Sequence, residues 1–325
     1  MIWLDWYCRM HSDTFVPPEE RMGDPRRDLA MSTWIYFATY VRENPDLAGP
    51  QPLDYHWYSA LTPFVVPFLP PEAKRPGAEQ PPEPLGLVLT RQTAALLSDA
   101  KPPSDDASWM AALGDRTVYI DVPHGAVRVG DAFQLRAIFV RKLRNSLGNQ
   151  RLMIAVVTDR GSEQARGRML AILDGEGRCV PAFDESREPL TELALLPPFT
   201  DLSTESIARA RTADFFRLTL AYHFFGPKET HEPIAVTASS RLLQGKPRKD
   251  ESLFAMVRLQ LARDRLGRPE GSISTTWSLT TRQEVSGHFK LQPHGPGATL
   301  RKMIWVAPYD RGPEEAPAKA HAHRI

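Results

Sequence analysis

The chain is poor in cysteine and has no long apolar run, and each absence removes a class of protein. Only Cys8 and Cys179 occur in 325 residues. They lie far apart and read as ordinary thiols of a reducing compartment, which excludes a small disulfide-stapled secreted scaffold. No stretch approaches the roughly 18 apolar residues of a membrane span. The opening, Met1-Ile-Trp-Leu-Asp-Trp-Tyr-Cys-Arg9, is broken by Asp5 and Arg9, and no small-residue cleavage site follows. It does not read as a secretory signal. The expected location is cytoplasmic, with no membrane partner.

Several catalytic signatures are also missing. There is no His-Glu-x-x-His, no zinc-finger spacing and no Gly-x-Ser-x-Gly. The stretch Gly125 to Gly130 lacks the Gly-Lys-Ser/Thr ending of a phosphate-binding loop. His288 and His294 form at most a weak pair, so no metal is expected, and nothing implies a cofactor. No internal repeat is visible, which argues against a solenoid.

What is present is an ordinary globular composition, 42% hydrophobic and 24% charged. That is enough apolar material for a core without a metal or disulfide. The net charge is only +1, but it is uneven. Gly245 to Arg311 holds 12 Lys and Arg against 6 Asp and Glu, a surplus of six, so the rest carries a deficit of five. A basic C-terminal third suits an anionic partner, and equally a solvated surface with none, as in a purely structural protein-interaction module whose basic face serves only solubility.

The pattern predicts an α+β fold: a helical N-terminal part, a central mostly antiparallel sheet, packed helices and a C-terminal β-hairpin-like block. Residues 1–112 form an aromatic-rich helical region with a helix over Asp28 to Arg42, stopped by Asn44-Pro45. The proline-rich stretch 70–84 reads as a loop, and a short helix is expected around Thr90 to Ala100. Residues 113–313 form the α+β domain. Its strands are Thr117 to Val122, Ala132 to Arg141, Leu152 to Thr158 and Arg168 to Leu173. A helix from about Ser203 to Phe225 follows, capped by Ser203 or Thr204 and stopped by Gly226-Pro227. Helical spacing resumes from Ser252 to about Leu266. Residues 314–325 read as a disordered tail.

The block Gly287 to Tyr309 carries the chemistry. As a strand, Val285 to Gln292 puts His288, Lys290 and Gln292 on one face and Phe289 and Leu291 on the other. A return strand, Leu300 to Ala307, separates Ile304 and Val306 from Arg301, Met303 and Trp305. If the apolar sets pack inward together, then His288, Lys290, Gln292, Arg301 and Trp305 form one exposed binding patch. Cations, an amide and an indole suit phosphates and stacked bases. The connecting loop has Gly295 and Gly297, which let backbone approach a ligand closely. The competing assignment makes Phe289 and Trp305 core residues and His288 a satisfied core histidine. An alternative catalytic reading uses Asp121 and Asp159, strand-end carboxylates of the kind that hold magnesium in nucleases. Such aspartates also occur as ordinary turn residues.

Three features then occur in order: Arg116-Thr-Val-Tyr-Ile-Asp-Val122, the buried helix end Leu218-Thr-Leu-Ala-Tyr-His-Phe-Phe225, and Gly287-His-Phe-Lys290 followed by a glycine loop, Arg301, Trp305 and Pro308. From about Arg116 to Pro313 the chain resembles a type V-A anti-CRISPR family and its wider relatives on mobile elements and in bacterial genomes. It departs from that pattern at Phe289, where the family tends to have Trp, and at Lys290, where it tends to have His. The resemblance implies a non-enzymatic regulator that lowers a target transcript during translation. RNA or a ribosome-associated nascent peptide would be the partner, and a Cas effector or its transcript the candidate target.

Overall fold

The central strands are apolar on both faces, so they must be covered on both sides. The computed structural model describes residues 2–30, 64–70, 82–100, 112–129, 133–144, 150–159, 168–173, 202–242, 248, 250–261, 282–311 and 317. In chain order the elements are α1 (Trp3–Phe15), β1 (Leu85–Leu89), α2 (Arg91–Asp99), β2 (Val118–Asp121) and β3 (Arg128–Val129). Next come β4 (Phe133–Arg144), β5 (Gln150–Asp159), β6 (Arg168–Leu173), α3 (Leu202–Phe225), β7 (His231–Val236), β8 (Glu251–Ser252) and β9 (Met256–Leu259). The chain continues through β10 (Gln283–Val285), β11 (His288–His294), β12 (Leu300–Val306) and β13 (Tyr309–Arg311).

The main sheet runs β6-β5-β4-β2-β1-β9-β7-β8, with β3 added beside β4. It is mixed. The β2–β4, β4–β5 and β5–β6 pairs are antiparallel, as the sequence pattern predicts. At the centre, however, β1 lies parallel to both β2 and β9. The unit β1–α2–β2 is a crossover of the kind parallel pairing requires. Thr90 caps α2 by accepting from the Thr93 amide, and the Thr93 hydroxyl donates to the Leu259 carbonyl at the end of β9.

Alternation sorts the core into two layers. Val118, Ile120, Ile138, Val140, Ile154 and Val156 face α2 and the buried end of α3. Tyr119, Ala137, Phe139, Ala155 and Val157 face α1 and the segment around Phe64 and Phe68. The boundary expected at 112/113 therefore runs through one continuous sheet, because β1 sits at its centre and α1 covers its face.

The expected helices meet different outcomes. The helix from Ser203 to Phe225 is present. The helix predicted from Ser252 to Leu266 is absent where the structure describes it: Met256 to Leu259 is a strand between β1 and β7. Its residues can satisfy helical spacing, but pairing on both edges outweighs that local preference. Of the helix predicted over Asp28 to Arg42, residues 28–30 are helical, in a helix that begins at 25, and the rest lies outside the described residues. Most of 70–84 and of the tail 314–325 lies outside them too. Among the described residues no helix is long and apolar enough to cross a membrane.

Helix α1 is held in an unusual way. Its N-cap position is Ile2, which offers no side-chain acceptor, so its first amides need partners from elsewhere. Strand β2 supplies them. The Trp3 amide donates to Asp121 Oδ1 at 2.7 Å and the Leu4 amide to the Tyr119 hydroxyl at 3.0 Å. That hydroxyl donates in turn to Asp121 Oδ1 at 2.6 Å. One turn along, Asp5 Oδ1 accepts from the Ser252 hydroxyl at 2.9 Å and the Leu253 amide at 3.1 Å.

Burial pushes the Asp5 carboxyl up to about 6, against an ordinary 3.8, and nearby Asp121 acts in the same direction. A carboxyl raised in the fold favours folding below its unfolded value and loses that advantage as pH climbs through the folded one. Asp5 therefore removes on the order of 3 kcal/mol of stability between pH 4 and 6. Asp5→Asn keeps the accepting oxygen and removes the ionisation. Its urea midpoint relative to the parent should rise steadily from pH 4 to pH 7, and a pH-independent difference would contradict this assignment.

Candidate functional site

Near the C-terminus the chain leaves the main sheet and forms a two-stranded ribbon. The register is continuous along it. His288 pairs with Val306, Phe289 with Trp305, Lys290 with Ile304, Leu291 with Met303, Gln292 with Lys302, Pro293 with Arg301 and His294 with Leu300. The same register carries on below, where Val285 pairs with Tyr309 and Gln283 with Arg311. Arg282 and Asp310 form an ion pair at that lower end.

Partners directly opposite each other project from the same face of an antiparallel pair. One face therefore holds Phe289, Leu291, Met303 and Trp305, and the other holds His288, Lys290, Gln292, Lys302 and Ile304. This corrects the grouping expected from sequence. Trp305 is not on the lysine face. Ile304 and Val306 are not beside Phe289 and Leu291. Arg301 pairs opposite Pro293, and its side chain lies outside what the structure describes. The polar set keeps His288, Lys290 and Gln292, and gains Lys302 and His294.

The tryptophan face packs inward. The Trp305 ring centre lies 4.9 Å from that of Phe289 and 5.4 Å from Tyr222 of α3, edge-on at 90°. Met303 is buried beside them. Gly287 makes this possible, since a Cβ there would sit 2.6 Å from the Trp305 ring and 3.3 Å from Pro308 Cδ. The assignment of Phe289 and Trp305 as packing residues thus agrees with the structure. His288 is half-buried, with Nδ1 3.0 Å from the Ser286 carbonyl oxygen.

Beyond this anchor the ribbon is solvated. Lys290, Leu291, Gln292, Pro293, His294 and Lys302 are all exposed. The turn at the tip places Gly295 at φ 76° and Gly297 at φ 64°, the left-handed region that glycine enters without strain. Leu300, at 54% exposure, is the most open large apolar residue there. Between Val285 and Tyr309 the sequence has Lys290, Arg301 and Lys302 but no Asp or Glu. The exposed lysines have no counter-charge within the ribbon's upper length.

The aspartate alternative fares differently. Asp121 is 5% exposed beneath α1, and its Oδ1 already accepts from the Trp3 amide and the Tyr119 hydroxyl. Burial raises its carboxyl above the ordinary range. It caps a helix and is shut off from solvent. Asp159 pairs with Gln134 on β4, while Asp121 pairs with Ala137 on the opposite edge of that strand. Ala137 pairs in turn with Val157, two residues from Asp159 along β5, so two strand spacings and that offset put the Asp121 and Asp159 Cα atoms about 12 Å apart. His288 and His294, at opposite ends of β11, are about 20 Å apart by strand rise, too far for one ion. Among the described residues no three of His, Cys, Asp and Glu converge to hold a metal.

His294 follows from alternation along β11, whereas Lys302 was legible only through parity across the turn. The five-residue connection, 295–299, makes each pair of numbers sum to an even value, so odd residues oppose odd ones. Hydrophobicity alone groups Ile304 with Phe289. Register forbids that grouping.

Comparison of the chain with protein-family models, with curated proteins and with solved structures returned no significant match. The chain's own geometry carries the functional reading.

The anchor can be tested directly. Gly287→Ala should displace the Trp305 ring at a cost of about 1–3 kcal/mol. Amide exchange should quicken across β11 and β12 and the near-ultraviolet tryptophan signal should change, while β2 and β4 keep their protection. Unaltered exchange in the ribbon would contradict the packing described.

Proposed function

We propose that this chain is a non-enzymatic regulator that binds RNA through the lysine face of its C-terminal ribbon. The observation that carries the reading is the exposed surface bearing Lys290, Gln292, His294 and Lys302, in a stretch with no Asp or Glu between Val285 and Tyr309, on a ribbon anchored by its opposite face. Cations in that setting release counterions from a phosphate backbone on binding. The amide and imidazole add hydrogen-bonding groups that neither a bare salt-bridge patch nor an apolar peptide groove would need.

The resemblance noted from sequence extends this to a transcript engaged during translation, with a Cas effector's message as a candidate target. A nascent peptide is the competing occupant. The ribbon favours RNA over a peptide because Phe289 and Trp305 are turned inward and the face bearing Lys290 and Lys302 is cationic.

The test is the double variant Lys290→Ala, Lys302→Ala, whose substitutions lie at exposed positions. RNA affinity should fall, and the slope of log affinity against log salt should shrink by about 0.7–0.9 for each phosphate no longer neutralised. A folded variant with unchanged RNA affinity and slope would sink the reading. So would a parent protein that binds peptide independently of salt and binds no RNA.

A further inference from the structure

The way the ribbon is anchored also restricts the form of nucleic acid it can take. A single-strand reader needs flat rings on which unstacked bases can lie. Here the two rings closest to hand, Phe289 and Trp305, are spent on each other and on Tyr222. Of the two imidazoles on the outer face, His288 is half-buried with Nδ1 held near the Ser286 carbonyl. Only His294, at the tip, stands clear. Tyr309 of β13 is exposed but falls by register on the tryptophan side, so among the described residues the ribbon's outer face offers no succession of platforms for consecutive bases.

What remains is a narrow rod. Seven paired positions give β11 and β12 a length of about 23 Å, with the strands about 5 Å apart. Its outer face carries Lys290 on one strand and Lys302 on the other, diagonally across the ladder, with Gln292 directly opposite Lys302. Cations on both strands flank an amide that both donates and accepts hydrogen bonds. A helical RNA presents matching chemistry in its wide, shallow minor groove: phosphates on either side, and 2′-hydroxyls that donate and accept between them. Its deep, narrow major groove is closed to side chains.

We propose that the ribbon's target is double-helical RNA. Lys290 and Lys302 lie along the flanking phosphates, while Gln292 and His294 meet 2′-hydroxyls in the minor groove. This rests on the reading that the lysine face binds RNA, and adds to it the form of the RNA and the groups that recognise it. It predicts shape recognition with little sequence preference.

The experiment uses the full chain and three labelled probes. They are an RNA duplex of about 20 base pairs, longer than the roughly 16 that a minor-groove reader spans, one of its strands without self-structure, and the DNA duplex of the same sequence. Binding is followed by fluorescence anisotropy. The RNA duplex should bind roughly tenfold or more tightly than either other probe, about 1.4 kcal/mol. Gln292→Ala, at an exposed position, should bring RNA-duplex binding down toward the DNA level while changing DNA binding little. A single strand bound as tightly as the duplex overturns this inference and leaves RNA binding by the ribbon intact. DNA and RNA duplexes bound equally overturn the 2′-hydroxyl contacts and with them the proposal. Failure to bind any of the three overturns both this inference and the function on which it rests.

Discussion

The seating of Trp305 against Gly287, Phe289 and Tyr222 is the constraint on which the C-terminal third depends. A two-stranded ribbon has little stability of its own in water. This one borrows it from α3, whose buried end is itself part of the core under the main sheet. Because side chains alternate with a period of two, turning Trp305 inward obliges Lys290, Gln292 and Lys302 to turn outward. The packing contact and the candidate binding face are consequences of one register. A glycine at 287 is the local requirement, since any side chain there would meet the indole ring.

A second long-range device secures the other end of the chain. Helix α1 has no cap of its own, and Tyr119 and Asp121 of β2 receive its first two amides across more than a hundred residues. A cap of this kind is worth about 0.5–2 kcal/mol, and removing it would leave buried amides unsatisfied. The arrangement ties α1 to the middle of the sheet, and Asp5 adds a second tie to Ser252 and Leu253. The same contacts explain why a carboxylate at the end of a strand is unavailable for metal chemistry here. It is sealed under the helix it holds.

Much of the scaffold was readable from the sequence because it is local. The alternating strands around Phe139 and the apolar run around Val156 are present, and α3 ends where glycine and proline require. The parallel centre was not readable. Gly86 to Leu89 is a short apolar run after a proline-rich stretch, and its status as the middle strand is decided by partners more than 30 residues away. Strand β9 was hidden for the same reason, its spacing fitting a helix until both edges found partners. At the candidate site, the polar residues of β11 were legible by alternation. Their true neighbours on β12 were not, since hydrophobic matching suggested Ile304 and Val306 as partners of Phe289, while loop length fixed the opposite parity.

The most direct test of the central claim is ultraviolet crosslinking of the intact protein to bound RNA, followed by peptide mapping. Adducts should concentrate on His288 to Lys302, at Lys290, Gln292, His294 and Lys302, with Trp305 and Phe289 spared because their rings face α3. Crosslinks confined to the main sheet or α1, or centred on Trp305, would contradict it.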